Sequence, residues 1–350
     1  MQDLPTRPRR PIAIQPKTLR RLAGKPLAKI VSPRMLEQRR LDPDRVERLH
    51  QRLQQGEELS ESEQMILFSI FMQPAAPVLN DLPEHIEGPL WTDLNEPAAH
   101  ARLEPICRAT ARVEYSSGAE FQKYGSCFLV ADDLVMTNNH VASVFSGNHE
   151  VFGPYIRPGY SVRVNFCRER DRWDTDPTAS RAVTRIVMRH PWFDLALLRI
   201  EGKPDGAEPL ALSVADAAGA DDARVVVVGY PSKNSEEDVA LQNATISEFD
   251  TKHLSPGIVG SVETRNINGR TGRFLGHDCS TLTGNSGSAV VDIDSGSVVG
   301  LHFRGNLDGS NWAVPASDIA SDVRIVDAGV TFDAIPTPGP GPWEDAWNGT

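Results

Sequence analysis

Three short stretches carry residue types that could perform acyl transfer. Residues 283–288 read Thr-Gly-Asn-Ser-Gly-Ser and run into an apolar strand, 289–291. Glycines around Ser286 permit backbone conformations that a Cβ would forbid. The turn can then present the Ser286 hydroxyl and gather the amides of Gly284 and Ser286 beside it, as a developing oxyanion requires. The same sequence also makes an ordinary hairpin turn. Upstream, 134–142 reads as a strand entering a turn that carries His140, and 191–198 sets Asp194 at the mouth of an apolar strand. Taken singly, such a histidine is more often structural, and such an aspartate more often caps a turn. In the order His140, Asp194, Ser286 they form a set that could share one proton.

The elements that must hold this set are short strands separated by Gly, Pro and Asn turns. Strands are expected at 106–115, 127–130, 161–166, 185–188 and 194–200, then at 224–228, 245–249, 258–264, 273–276, 289–293, 298–303 and 311–314. With no alternating helices, this is an all-β barrel pattern. Ahead of it lies a small helical region. Asp42 and Pro43 start a helix whose apolar face is Val46, Leu49 and Leu53, and Gly56 ends it. Ser60 and Glu63 form a capping box before the apolar run 65–72. The chain thus divides into a basic, flexible tail (1–34), a helical region with a proline-rich strap or linker (35–102), a main domain (103–330) and a loose Pro/Gly-rich C-terminal tail (331–350).

The segments Thr-Asn-Asn-His-Val-Ala, Asp-Leu-Ala-Leu-Leu and Gly-Asn-Ser-Gly-Ser resemble the three catalytic blocks of chymotrypsin-fold serine proteases. Asn285 and the strand Gly300-Leu301-His302-Phe303 most resemble the bacterial branch of glutamyl endopeptidases and intracellular trypsin-like peptidases. The resemblance implies a double β-barrel, a protein or peptide substrate and no cofactor. It implies Ser286 as nucleophile, His140 as base, Asp194 as its orienting carboxylate, and Gly284 and Ser286 amides as the oxyanion hole. Ser280 stands where enzymes that cut after Arg or Lys carry Asp. Thr281 and His302 stand where glutamyl endopeptidases bind the substrate carboxylate, and Arg304 adds positive charge, so the resemblance implies a preference for acidic residues. The alternative is a plain pocket wall that favours small or apolar residues. Asn285 replaces the Asp that pairs with a newly cut N-terminus in pancreatic-type relatives, so no such activation switch is expected.

Composition sets outer bounds. The 350 residues carry a net charge of -11, which argues against nucleic acid or an anionic membrane as partner of the whole molecule. No apolar run is long enough to span a bilayer. Cys107, Cys127, Cys167 and Cys279 show no C-x-x-C pairing, which argues against a metal site. Val141 stands where secreted relatives often place a disulfide cysteine, and the basic N-terminus has no apolar segment behind it. A cytoplasmic protein with reduced thiols is the expectation. Two other readings are a catalytically silent binding module, and an effector whose N-terminal region takes a regulatory partner that restricts the protease to one target.

Overall fold

The computed structural model describes residues 36, 41–60, 63, 66–67, 75–88, 90–170, 179–216, 223–234, 242–243, 245–267, 270–305 and 311–347. The basic tail 1–34 and most of the apolar run 65–72 lie outside these. The chain forms two compact units, residues 1–72 with 88–90, and residues 73–87 with 91–350.

In the first unit, helix α1 (Pro43–Gln54) begins at Asp42, whose carboxylate accepts from the Asp44 amide at 3.1 Å. Gly56 follows in the left-handed region, with φ of 75°, the usual way to stop a helix. The Ser60 amide donates to Glu63 Oε2 at 2.8 Å and the Glu63 amide to Ser60 Oγ at 3.4 Å, so the capping box forms. Val46, Leu49, Leu59 and Leu67 make a core of their own, with Leu53 packed against it.

The second unit starts with a hairpin, β1 (Ala76–Leu79) and β2 (Leu82–Pro83), whose turn puts Asn80 and Asp81 at positive φ. Helix α2 (Pro97–Ala109) leads into β3 (Thr110–Ser116). The strand expected from residue 106 therefore begins only at Thr110. Ala99, Leu103, Ile106 and Cys107 are buried at helical spacing, and that period prevails over the apolar run.

Strand β3, β4 (Gln122–Ala131), β5 (Leu134–Thr137), β8 (Ser161–Asn165), β9 (Ser180–Arg189) and β10 (Ala196–Ile200) close into a barrel in the order β10-β5-β4-β3-β8-β9. A two-stranded ribbon, β6 (Ser146–His149) with β7 (Gly153–Ile156), projects beside it. The second sheet holds β11 (Arg224–Gly229), β12 (His253–Ile267), β13 (Arg270–His277), β14 (Ala289–Asp292), β15 (Val298–Arg304) and β16 (Asn311–Pro315). Its order is β11-β14-β15-β16-β13-β12, and β11 pairs back onto β12, so these six also run in a ring. Val225 and Val227, two apart and so on one side of β11, join Val259, Leu275, Val290 and Ala313 in its core.

Two expectations are corrected here. Residues 245–249 form no strand; Ile246 makes one isolated bridge to Ala75. The proline-rich strap is not a bare linker, because β1 pairs antiparallel with β12, Ala76 opposite Leu254. No helix among the described residues is long and apolar enough to cross a membrane.

Candidate active site

Strand register brings the first two groups together. Ala196 of β10 lies opposite Thr137 of β5 in an antiparallel pair. Stepping back two residues to Asp194 and forward three to His140 therefore reaches the same end of the barrel. His140 sits in the short helix α3 (Asn139–Ser143). Its amide donates to Asp194 Oδ1 at 2.8 Å, and its Nδ1 lies 2.6 Å from Asp194 Oδ2. Asn138 Nδ2 donates to the Asp194 carbonyl at 2.8 Å. The carboxylate fixes the ring through Nδ1, which leaves Nε2 as the nitrogen able to accept a proton.

The Ser286 turn comes from the second barrel and is tied to the first by Ser126 of β4. The Ser126 amide donates to the Ser286 carbonyl at 2.8 Å, and Ser126 Oγ donates to the Gly284 carbonyl, also at 2.8 Å. Two glycines permit the approach. A Cβ at Gly125 would lie 2.8 Å from a Val141 methyl and 3.1 Å from the Ser286 carbonyl. One at Gly287, where φ is 92°, would lie 2.0 Å from the Ser126 carbonyl and 2.5 Å from Thr137 Oγ1. Among the described residues no hydrogen bond joins Ser286 Oγ to His140; such contacts often tighten only when substrate is bound.

The amides around Ser286 are oriented by what their neighbouring carbonyls do. The Thr283 carbonyl accepts from the Ser232 amide at 2.6 Å, and the Asn285 carbonyl from the Ser288 amide at 3.0 Å. Since these peptide bonds are trans, each following N–H points to the opposite side of its peptide plane. The Gly284 and Ser286 amides are thereby turned away from the groups that hold their carbonyls. Gly284 takes φ of 96°, and a Cβ there would lie 2.3 Å from the Tyr230 carbonyl. Ser232 is itself held by Asp250, whose Oδ1 accepts from Ser232 Oγ at 2.6 Å.

The three pocket candidates are placed differently. Thr281 is fully buried and its hydroxyl donates to Asn311 Oδ1 at 2.6 Å, so that proton is already committed. His302 Nδ1 lies 3.0 Å from His277 Nε2. His277 Nδ1 is buried with no partner, and a bare ring nitrogen there costs less than an orphaned N–H. The favoured tautomers thus have His277 Nε2–H donating to His302 Nδ1, with the His302 proton on Nε2. Burial holds both rings neutral: it lowers His277 to about 3, and lowers His302 well below the usual range, with His277 and His140 adding to the effect. Arg304 is exposed and lines a cavity of about 990 Å3 that also reaches His140 and Asp194.

The C-terminal tail, expected to be loose, is packed against this site. Helix α4 (Ala316–Ile319) and helix α5 (Val323–Asp327) flank Asp322, and α6 (Glu344–Trp347) closes on them. Trp347 Nε1 donates to Asp322 Oδ2 at 2.9 Å. The same oxygen lies 2.9 Å from His190 Nε2, and His190 Nδ1 accepts from the Trp192 and Phe193 amides at 3.1 and 2.9 Å. That series of bonds ends one residue before Asp194. Sequence reasoning missed Ser126, Ser232 and His190; the first two act on a segment far along the chain, and His190, which holds amides two and three residues on, is itself anchored by Asp322, 132 positions away.

A double antiparallel barrel, with a histidine and an aspartate at the mouth of one half and a glycine-flanked serine turn from the other, defines the chymotrypsin-fold class. The chain belongs to the family described as trypsin-like peptidase domain, whose model matches residues 125–301. It is 26% identical over 237 residues to a probable serine protease of Lysobacter enzymogenes, a match that spans 61% of this chain and 61% of that relative. Among solved structures it is similar to the HtrA-type protease AlgW with a decapeptide, at 17% identity and a TM-score of 0.45 over 66% of this chain and 68% of that one. It is likewise similar to the Rv3671c protease from M. tuberculosis in its active form, at 20% identity and 0.45 over 70% and 90% of the two chains.

Proposed function

We propose that this protein is a serine endopeptidase. The observation that carries the reading is the 2.6 Å contact of His140 Nδ1 with Asp194 Oδ2, made at the barrel mouth where the Ser286 turn is tied down. Ser286 Oγ attacks the carbonyl carbon of a peptide bond while His140 Nε2 takes its proton. The oxyanion accepts hydrogen bonds from the Gly284 and Ser286 amides, each such donor worth about 3 to 4 kcal/mol of barrier. Collapse breaks the C–N bond as His140 returns the proton to the leaving amine. Water then attacks the acyl-enzyme by the same route and frees the acid. Asp194 keeps the ring in its working tautomer and supports the imidazolium. Ser286→Ala and His140→Ala are each expected to fold and to lose cleavage of a peptide mixture read by mass spectrometry. Undiminished cleavage by either one refutes the assignment.

For the residue before the cut, an acidic side chain is favoured by His302. A neutral imidazole with its proton on Nε2 is a donor that needs no ionisation to meet a carboxylate. Thr281 adds no donor of its own, because it is buried and its proton is used on Asn311. Cuts clustered after Glu or Asp, lost in His302→Leu, are expected from the same peptide mixture. Cuts after apolar residues instead would remove the acidic pocket and leave the triad standing.

A further inference from the structure

The cavity that reaches His140 and Asp194 is walled by aromatic rings: Trp192 before the aspartate, Phe274 on β13, Phe303 on β15, and Trp343 from the C-terminal tail. Pro340, Gly341 and Pro342 complete that side. Ser286 is not part of the lining, so the space lies beside the reacting carbonyl rather than at it.

Three observations show that the tail wall is built into the fold. Trp343 is only 5% exposed and its ring lies 5.2 Å from that of Phe193. A Cβ on Gly341 would come within 2.2 Å of the Trp343 ring, so this ring seat requires glycine. Beyond the wall, Arg324 donates to both Glu344 oxygens, at 3.1 and 2.9 Å, and Trp347 bonds Asp322. The chain is therefore anchored on the far side of the segment that faces the cavity.

The chemistry of the lining selects an occupant. Arg273 is already paired with Asp318 at 3.1 Å and with Asp216, and Arg189 Nε donates to Asn139 Oδ1 at 2.7 Å. Arg304 also lines the cavity, and the rest of what faces a ligand there is chiefly ring surface, which gains most from excluding water with an apolar or aromatic group. We propose that residues 340–343 form one wall of the substrate cleft, and that Trp343 with Trp192 and Phe274 binds a bulky apolar side chain of the peptide a few residues from the scissile bond. The inference rests on the peptidase reading above.

The test uses the full chain and a peptide library randomised over four positions on each side of the cut. Wild type should select Phe, Leu, Trp or Met at one position away from the cut. Trp343→Ala should abolish that selection and lower kcat/KM for the preferred peptide about tenfold, a fall carried by KM, with Trp343→Phe restoring most of it. Since Trp343 is buried and its loss can unfold the chain, Pro342→Glu supplies a second reading. Pro342 is exposed, lines the same wall, and should erase the apolar preference in a protein that unfolds at the wild-type temperature. Retained selection in Pro342→Glu, or a wild type that cleaves without apolar selection, overturns this inference alone. A wild type that cleaves nothing in the library overturns the peptidase reading and this inference with it.

Discussion

Gly287 shows how closely the two barrels approach each other beside Ser286. With φ of 92° and a Cβ position 2.0 Å from the Ser126 carbonyl, alanine there must both strain the backbone and push Ser126 away. Gly296 is a control, since its φ of 74° is also left-handed but nothing lies within 4 Å of its Cβ position. Gly296→Ala should cost about 1 kcal/mol of strain in urea unfolding and keep its activity. Gly287→Ala should cost more and lose at least about a hundredfold in kcat/KM, because the shift falls on the residue after the nucleophile. Equal effects of the two would show that the contact with Ser126 does not matter. The meeting of His140 with Asp194 was legible in the sequence because each stands in a local pattern of strand and turn. The bond made by Thr281 was not legible, since the partner that takes its proton, Asn311, is thirty residues away and meets it only across the folded sheet.

At the level of elements, most barrel strands could be read from apolar runs between turns. Helix α2 could not, although Leu103, Ile106 and Cys107 have helical spacing, because Ile106 also begins a run that suits a strand. The tail was misread on composition: its prolines and glycines indicate a loose chain, but Trp343 and Trp347 decide its placement. The Trp347 bond is open to a direct test. Trp347→Phe keeps most of the ring and removes the N–H that meets Asp322. Asp322 is fully buried, and although burial alone would raise its carboxyl pKa, hydrogen bonds from the Arg324 amide, Trp347 and His190 hold it below the usual range. Removing one donor should cost about 1 to 2 kcal/mol in urea unfolding. Because His190 carries the effect to the Asp194 loop, kcat should fall as well. A variant with wild-type stability would mean that water replaces the indole.

For the molecule as a whole, buried histidines set the response to acid. Burial lowers His253 to about 4 and His277 to about 3, and lowers His302 as well. Each is neutral in the folded chain, while the unfolded chain takes up protons below about 6.5. The stability they contribute is thus complete above that pH and is lost as pH falls toward 3 to 4, at about 1.4 kcal/mol per unit for each ring. Denaturant unfolding between pH 7 and 5 should show this slope, and His277→Asn should make it shallower. An unchanged slope would place the titration elsewhere. The pairing of β1 with β12 bears on how the chain is made. Ala76 and its partner Leu254 are 178 positions apart. At ribosomal rates of about 5 to 20 residues per second, the first strand waits roughly 9 to 36 s for its partner to be synthesised. Throughout that interval the nascent chain exposes an unpaired β-edge. The edge of β1 that meets β12 is therefore covered only after all six strands of the first barrel have been made.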